Sequence, residues 1–299
     1  MRQAVAAFIL PIILVVIAAC GDGGSAEPTG RIGFGSNRTG TVGLFVMNGD
    51  GSDPSRLADG LFPDWSPDGR RVVITIRTED GNLDLFVMDS DGGDPVRITD
   101  DPANDAQPAW SPDGEWIAFV SDPDGNQDIY IIRPDGSDLT RLTSAGPAGL
   151  TPAWSPDSSM IAFDSIQDGN HEIYVMNADG SGQTRLTDDP EFDSNPTWSP
   201  DGTMIAFDSF RTGRAQVYVM NADGSDVRQL TFECDSSFGP VWSPDGGWIA
   251  FTRVLREETV DGGIQDNQEI FIARPDGSDE LRLTDEPSPD IVYTWFSGQ

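Results

Sequence analysis

The chain has 299 residues, including 33 Gly and 22 Pro, and 37% of it is hydrophobic. That is enough apolar content for a packed core interrupted by many turns. Fifty acidic residues face 18 basic ones, all arginine, for a formal net charge of −32. This excess repels nucleic acid and anionic lipid and favours cations or basic protein patches. Part of it reflects the use of Asp as a turn residue.

At the N-terminus, Met1-Arg2 precedes an apolar run, Ala4–Ala19, with the length of a signal sequence rather than of an anchored membrane span. It ends in Ile17-Ala18-Ala19-Cys20, which resembles the lipobox of bacterial lipoproteins. The resemblance implies that residues 1–19 are removed and that Cys20 carries the lipid. The protein would then be exported and membrane-anchored, in the periplasm or on the outer side of the cell membrane. An ordinary signal peptide with an incidental cysteine is the alternative. Residues 20–30, rich in Gly and polar side chains, read as a flexible tether. With Cys20 lipidated, Cys234 is the one thiol left, so no internal disulfide forms. Glu233 and Asp235 beside it oppose its thiolate.

From residue 31 onward one phrase repeats. Trp-Ser-Pro-Asp-Gly is complete at Trp65, Trp110, Trp198 and Trp242, ends in Ser158 at Trp154, and survives at Trp295 as Trp-Phe-Ser-Gly. Successive tryptophans lie 45, 44, 44, 44 and 53 residues apart, a blade-length period for a β-propeller. Each unit reads as four short strands. After the Trp strand comes an apolar second strand: Ile32–Ser36, Val72–Arg77, Ile117–Ser121, Ile161–Ser165, Ile205–Ser209 and Ile249–Arg253. Third strands follow at Gly43–Asn48, Asp84–Asp89, Asp128–Arg133, Glu172–Asn177, Gln216–Asn221 and Glu269–Arg274. Polar fourth strands end near Leu57, Thr99, Thr143, Thr187, Thr231 and Thr284.

The first unit lacks a Trp strand, and Ile291–Phe296 is a Trp strand with nothing after it. The expectation is an all-β, six-bladed β-propeller over residues 31–299. Its C-terminal strand joins the N-terminal blade, closing the ring and removing the open edge.

The phrase Pro-x-Trp-Ser-Pro-Asp-Gly-x-x-Ile-Ala-Phe-x-Ser, then Ile-Tyr-Val-Met-Asn-x-Asp-Gly, then Arg-Leu-Thr, resembles the TolB-type propeller repeat over about nine-tenths of the chain. The turns Ser36–Gly40 and Ser209–Gly213 are similar to that family's turn before the third strand. The resemblance implies a non-catalytic binding platform that recruits another envelope protein at one face of the ring. Residues 21–30 are too few for the α/β domain that precedes the propeller in TolB itself. TolB is also soluble, whereas this N-terminus reads as lipidated.

Strand order places the Ser-Pro-Asp-Gly and Asx-x-Asp-Gly turns on one face. The variable second-to-third turns and inter-blade segments lie on the other, where repeat proteins place binding. Five residues before the tryptophan, alternate blades carry Asp105, Asp193 and Asp290. This pattern predicts a threefold acidic ring at the channel mouth that binds a basic patch on an envelope protein. Two other readings are Ca²⁺ held by the same oxygens and local capping of the inner strands. No cofactor is otherwise implied, and the chain reads as a monomer. The Asp-Gly-Asn runs at Asp80, Asp124 and Asp168 read as hairpin turns rather than calcium loops. The Arg256–Asn267 insertion reads as an exposed loop.

Catalytic patterns are scarce. His171 is the only histidine, in a turn position filled elsewhere by Leu83, Gln127 and Ala215. Neither a nucleophile elbow nor a phosphate-cradling Gly-Lys motif occurs. The chain therefore reads as no enzyme. The alternative is a metal-dependent propeller enzyme, of lactonase or sugar dehydrogenase type, using channel carboxylates.

Overall fold

The structure, a computed structural model, describes residues 27–144, 151–232, 235–258 and 264–298. The signal and lipidation readings at residues 1–19 and Cys20, and the thiol Cys234, lie outside the described residues.

Twenty-four strands make six antiparallel four-stranded sheets, with no helix among the described residues. Blade 1 holds β1 (Arg31–Ser36), β2 (Gly43–Asn48) and β3 (Ser55–Ala58). Blade 2 holds β4 (Leu61–Trp65), β5 (Arg71–Arg77), β6 (Leu83–Asp89) and β7 (Val96–Arg97). Blade 3 holds β8 (Asp105–Trp110), β9 (Ile117–Ser121), β10 (Asp128–Ile132) and β11 (Thr140–Arg141). Blade 4 holds β12 (Ala153–Trp154), β13 (Met160–Ser165), β14 (Glu172–Asn177) and β15 (Thr184–Arg185). Blade 5 holds β16 (Asp193–Trp198), β17 (Met204–Ser209), β18 (Gln216–Asn221) and β19 (Arg228–Gln229). Blade 6 holds β20 (Ser237–Trp242), β21 (Ile249–Glu258), β22 (Ile264–Ala273) and β23 (Leu281–Arg282). The last strand, β24 (Asp290–Phe296), pairs with β1 and completes blade 1.

Closure is tied by side chains as well as by the ladder. Phe296 stacks on Trp65 of the next blade at 4.0 Å between centroids, and Trp295 Nε1 donates to the Thr29 carbonyl at 2.7 Å. The core consists of layers between blades. One cluster joins Ile32, Phe34 and Trp295 of blade 1 to Trp248, Ala250 and Ile272 of blade 6. Another joins Ile129 and Ile131 of blade 3 to Trp154, Phe163 and Tyr174 of blade 4. The apolar second and third strands bury both faces, which is why they read as continuous hydrophobic runs.

The Pro-Asp-Gly turns stack around their face of the ring. Gly114, Gly202 and Gly246 lie over Pro67, Pro156 and Pro200 of the preceding blades. Ser158, which replaces the glycine in blade 4, keeps the left-handed φ of 59°. Its hydroxyl accepts the Asp113 N–H from blade 3 at 3.0 Å, so an inter-blade hydrogen bond offsets the strain.

Two expectations need correction. The fourth strands of blades 2 to 6 are two-residue ladders that end before their threonines. The threonines act instead through their hydroxyls. Each accepts an N–H of the third strand (Leu85, Ile129, Ile173, Val217 and Ile270) at 2.9–3.0 Å. The Arg256–Asn267 insertion is not a loop along its length. β21 and β22 stay paired out to Glu258 and Ile264, a hairpin extension, and Asp261–Gly263 lie outside the described residues.

The Arg-x-Thr phrase thus clamps a buried acid at the start of the third strand. Arg185 and Thr187 reach Glu172 at 2.8 and 2.6 Å; Arg141 and Thr143 do the same with Asp128. Blade 5 changes both partners at once. Gln216 receives the Thr231 hydroxyl at 2.7 Å, and Gln229 replaces the arginine in bonding the Thr231 carbonyl at 2.6 Å. Gln216→Glu is therefore expected to bury a carboxylate without its arginine and to cost about 3 kcal/mol. Adding Gln229→Arg should restore most of that loss, as measured by urea unfolding across the double-mutant cycle.

Candidate functional site

The six inner strands surround a central cavity of about 410 Å³. Two residues before each tryptophan stands a proline (Pro63, Pro108, Pro152, Pro196 and Pro240), replaced in β24 by Tyr293. Proline has no N–H for the ladder, and the register of β4, β8, β16 and β20 shifts around it. The residue before it takes the left-handed conformation: Phe62 at φ 51°, Gln107 at 54°, Asn195 at 53° and Gly239 at 66°. Such bulges re-aim a side chain. Here they bring Phe62, Gln107 and Asn195 into the cavity lining.

Freed backbone groups of the inner strands are caught by neighbouring blades. Trp110 N–H donates to Asp64 at 2.7 Å, Gly239 N–H to Asp208 at 2.9 Å, and Val292 N–H to Thr252 Oγ1 at 3.0 Å. Desolvation pushes Asp64 up to about 6 and Asp208 up to about 7, against the pull of their hydrogen bonds.

The lining is not sixfold. On one side Phe62 meets Tyr293 at 5.5 Å between ring centroids. Tyr293 fits because Gly35 has no Cβ, which would stand 2.6 Å from the phenol oxygen. Burial pushes that phenol up to about 12. Blades 4 and 5 place Asp164 and Asp208 where blade 1 has Gly35. Asp164, 1% exposed, bonds Nδ1 of His171 at 2.7 Å and the Thr151 hydroxyl at 3.0 Å. That bond raises the His171 pKa, opposed by burial. Asn195 Nδ2 donates to Asp208 at 2.7 Å. Beside the channel a smaller cavity is lined by Gln107, Asp164, His171, Phe192, Ser194, Asn195 and Phe210.

The three aspartates predicted for the channel mouth lie elsewhere. Asp105, Asp193 and Asp290 are at most 1% exposed and do not line the central cavity. They sit in register with Ser121, Ser209 and Ser36 of the second strands. Asp193 pairs with Arg211 at 2.9 Å and Asp290 with Arg38 at 2.5 Å, so the two arginine-containing turns serve as internal partners. Asp105 has Ser121 and Thr99 beside it, and desolvation pushes it up to about 6. Exposed acids of the variable face come one turn earlier. Asp100, Asp188 and Asp285 are 83%, 89% and 86% exposed, each paired with an arginine three residues before it. Asn170 Nδ2 bonds the carbonyls of Asp189 and Glu191, holding the second-to-third turn against the inter-blade segment on this face.

Asp164, Asp208, Asn195 and Gln107 belong to the site without being marked by the repeat, and His171 stands in the sequence as a variable turn residue. The available signal was a carboxylate inside the otherwise apolar Ile-Ala-Phe-x-Ser strand. Asp80, Asp124 and Asp168 lie in turns whose glycines have φ of 92°, 84° and 118°, as hairpin turns require. Among the described residues no three or more His, Cys, Asp or Glu side chains are grouped to hold a metal ion.

A family model for the TolB beta propeller domain matches residues 60–150 and 147–260. No curated protein matches the sequence. Among solved structures, the chain is similar to a putative TolB from Agrobacterium tumefaciens. Identity is 23% and the TM-score 0.67, over 90% of this chain and 98% of that one. TolB from Acinetobacter baumannii gives 23% identity and a TM-score of 0.73, over 89% of this chain and 66% of that one. An oligogalacturonate lyase in complex with manganese gives 14% and 0.57, over 87% and 75%. At these identities the likeness is one of fold.

A buried carboxyl whose pKa is raised on folding binds its proton more tightly in the native state, so stability falls as pH rises. For Asp208 the window runs from the ordinary value of 3.8 to about 7. Asp208→Asn is expected to remove roughly 2–4 kcal/mol of that fall. Urea unfolding at pH 4 and pH 8 measures it; an unchanged pH slope would contradict the assignment.

Proposed function

Because the chain belongs to the TolB β-propeller family, we propose that it is an exported, lipid-anchored platform that binds an envelope protein at its variable face. The observation that carries this reading is the division of its acids. Acids inside the blades are held by arginines and by hydroxyl and backbone donors, and one arginine is shared between a buried and an exposed acid in blades 2, 4 and 6. Asp100, Asp188 and Asp285 stand 83–89% exposed around one face. Such a surface selects a partner with a basic patch and speeds its encounter. The exposed phenylalanines Phe192 and Phe210 supply apolar contact area beside it. Anchoring rests on the lipobox-like Ile17–Cys20, and it holds the platform at a membrane without a spanning helix.

Asp105, Asp193 and Asp290 do not serve as the contact acids in this reading. They are buried, and a partner could reach them only by opening the blades and, for Asp193 and Asp290, by breaking their arginine pairs. Their replacement by Asn would weaken blades first.

The test is a cross-linked capture from the native envelope with residues 20–299 as bait. Beside it runs the variant Asp100→Asn, Asp188→Asn, Asp285→Asn. The wild-type chain is expected to capture a basic protein. The variant, with an unchanged thermal midpoint, should retain less than about one-tenth of it at low ionic strength. Equal capture by both baits would remove the acidic face from the interaction.

A further inference from the structure

The smaller cavity, about 230 Å³, opens beside the channel between blades 4 and 5. The repeat does not call for it. His171, Phe192 and Phe210 occupy positions where other blades carry unrelated residues, such as Gln127, Asn104 and Asp122 in blade 3.

Its chemistry narrows the ligand. The carboxylates are engaged internally: Asp164 by Thr151 and His171, Asp208 by Asn195 and the Gly239 N–H. An entering cation would have to break those bonds and would meet an imidazole held toward its charged form by Asp164. An anion would have to approach a chain of net charge −32. A neutral polar ligand incurs neither cost.

The remaining groups form a hydrogen-bonding set. With Nδ1 engaged by Asp164, Nε2 of His171 is the ring nitrogen left to face a ligand, as an acceptor in the neutral ring and a donor in the charged one. Gln107 lines the cavity, and its Oε1 is closed to solvent with no hydrogen-bond partner; a turn of the side chain toward the cavity would let a ligand's donor satisfy it. Ser194 and Asn195 add a hydroxyl and an amide. Phe192 and Phe210 are 51% and 38% exposed. Phe192 packs edge-on to both His171 and Phe210, at 5.6 and 6.3 Å. Exposed aromatic rings beside convergent polar groups suit a ligand that has one apolar face and a rim of hydroxyls.

We propose that this cavity binds the ring of a neutral saccharide. Its hydroxyls donate to Gln107 Oε1 and, able to donate or accept, pair with His171 Nε2, and its apolar face lies on Phe192. The site does not depend on the protein-binding reading.

His171 is the only histidine, so in tag-free protein its ring protons report from this cavity alone. They are followed by NMR while methyl β-glucoside, N-acetylglucosamine or arginine amide is added. At least one of the sugars is expected to shift them saturably, with a dissociation constant on the order of 1 mM. Phe192→Ala, a surface truncation, should weaken this about tenfold, and Gln107→Leu comparably. Silence with both sugars up to about 100 mM overturns the proposal. So does a saturable response to arginine amide alone, or undiminished sugar affinity in Phe192→Ala. Envelope capture that persists while sugars are ignored would sink this inference and leave the platform standing; sugar binding without capture would do the reverse.

Discussion

The structure depends on closing a ring from parts that cannot stand alone. Each blade buries its two faces only against its neighbours, so the core is a set of inter-blade layers and a missing neighbour exposes one of them. The pairing of β24 with β1 supplies that last neighbour. Phe296 then lies on Trp65, and the Trp295 indole reaches Thr29. Turn geometry, strand length and the position of every tryptophan follow from this requirement. A blade that is too long or out of register would fail to seat against both sides.

Within that frame the acids do two kinds of work. Those at the start of the third strands are buried. Asp128, Glu172 and Glu269 are tolerated because a fourth-strand arginine and the threonine two residues beyond it satisfy them, and they join strands too short to hold by their ladders. Blade 5 shows that the geometry needs hydrogen bonds rather than charge, since Gln216 and Gln229 fill the same places. Asp193 and Asp290 follow the same logic with Arg211 and Arg38. The acids left at the surface are therefore a selected subset, and only these can project a field toward a partner.

The channel departs from the repeat where function would be expected to act. An aromatic pair, Phe62 and Tyr293, shares the lining with the amides of Gln107 and Asn195, and Asn195 is held from behind by the buried Asp208. The asymmetry arises through the x-Pro bulges, which re-aim side chains without altering the blade scaffold. Gly35 shows the coupling: it leaves out a side chain that blades 4 and 5 carry, and Tyr293 occupies the space.

The chain's repeat pattern carries the six blades, the strand ladder within each, and the closure by Ile291–Phe296. These rest on local patterns, namely a fixed period, apolar runs and turn residues, and each pattern acts over a few neighbouring positions. It also located Asp105, Asp193 and Asp290, but not what surrounds them. Whether an aspartate is a surface acid or an internal anchor depends on Arg38, Arg211 or Ser121, distant or offset residues that only folding brings alongside. At the hairpin extension of β21 and β22, Asp and Gly suggest a turn-rich loop, whereas the paired ladder overrides that preference. His171, Asp164 and Gln107 come from blades 4 and 3. Their meeting at one cavity is a product of ring geometry and of a backbone bulge, neither of which leaves a periodic trace in the chain.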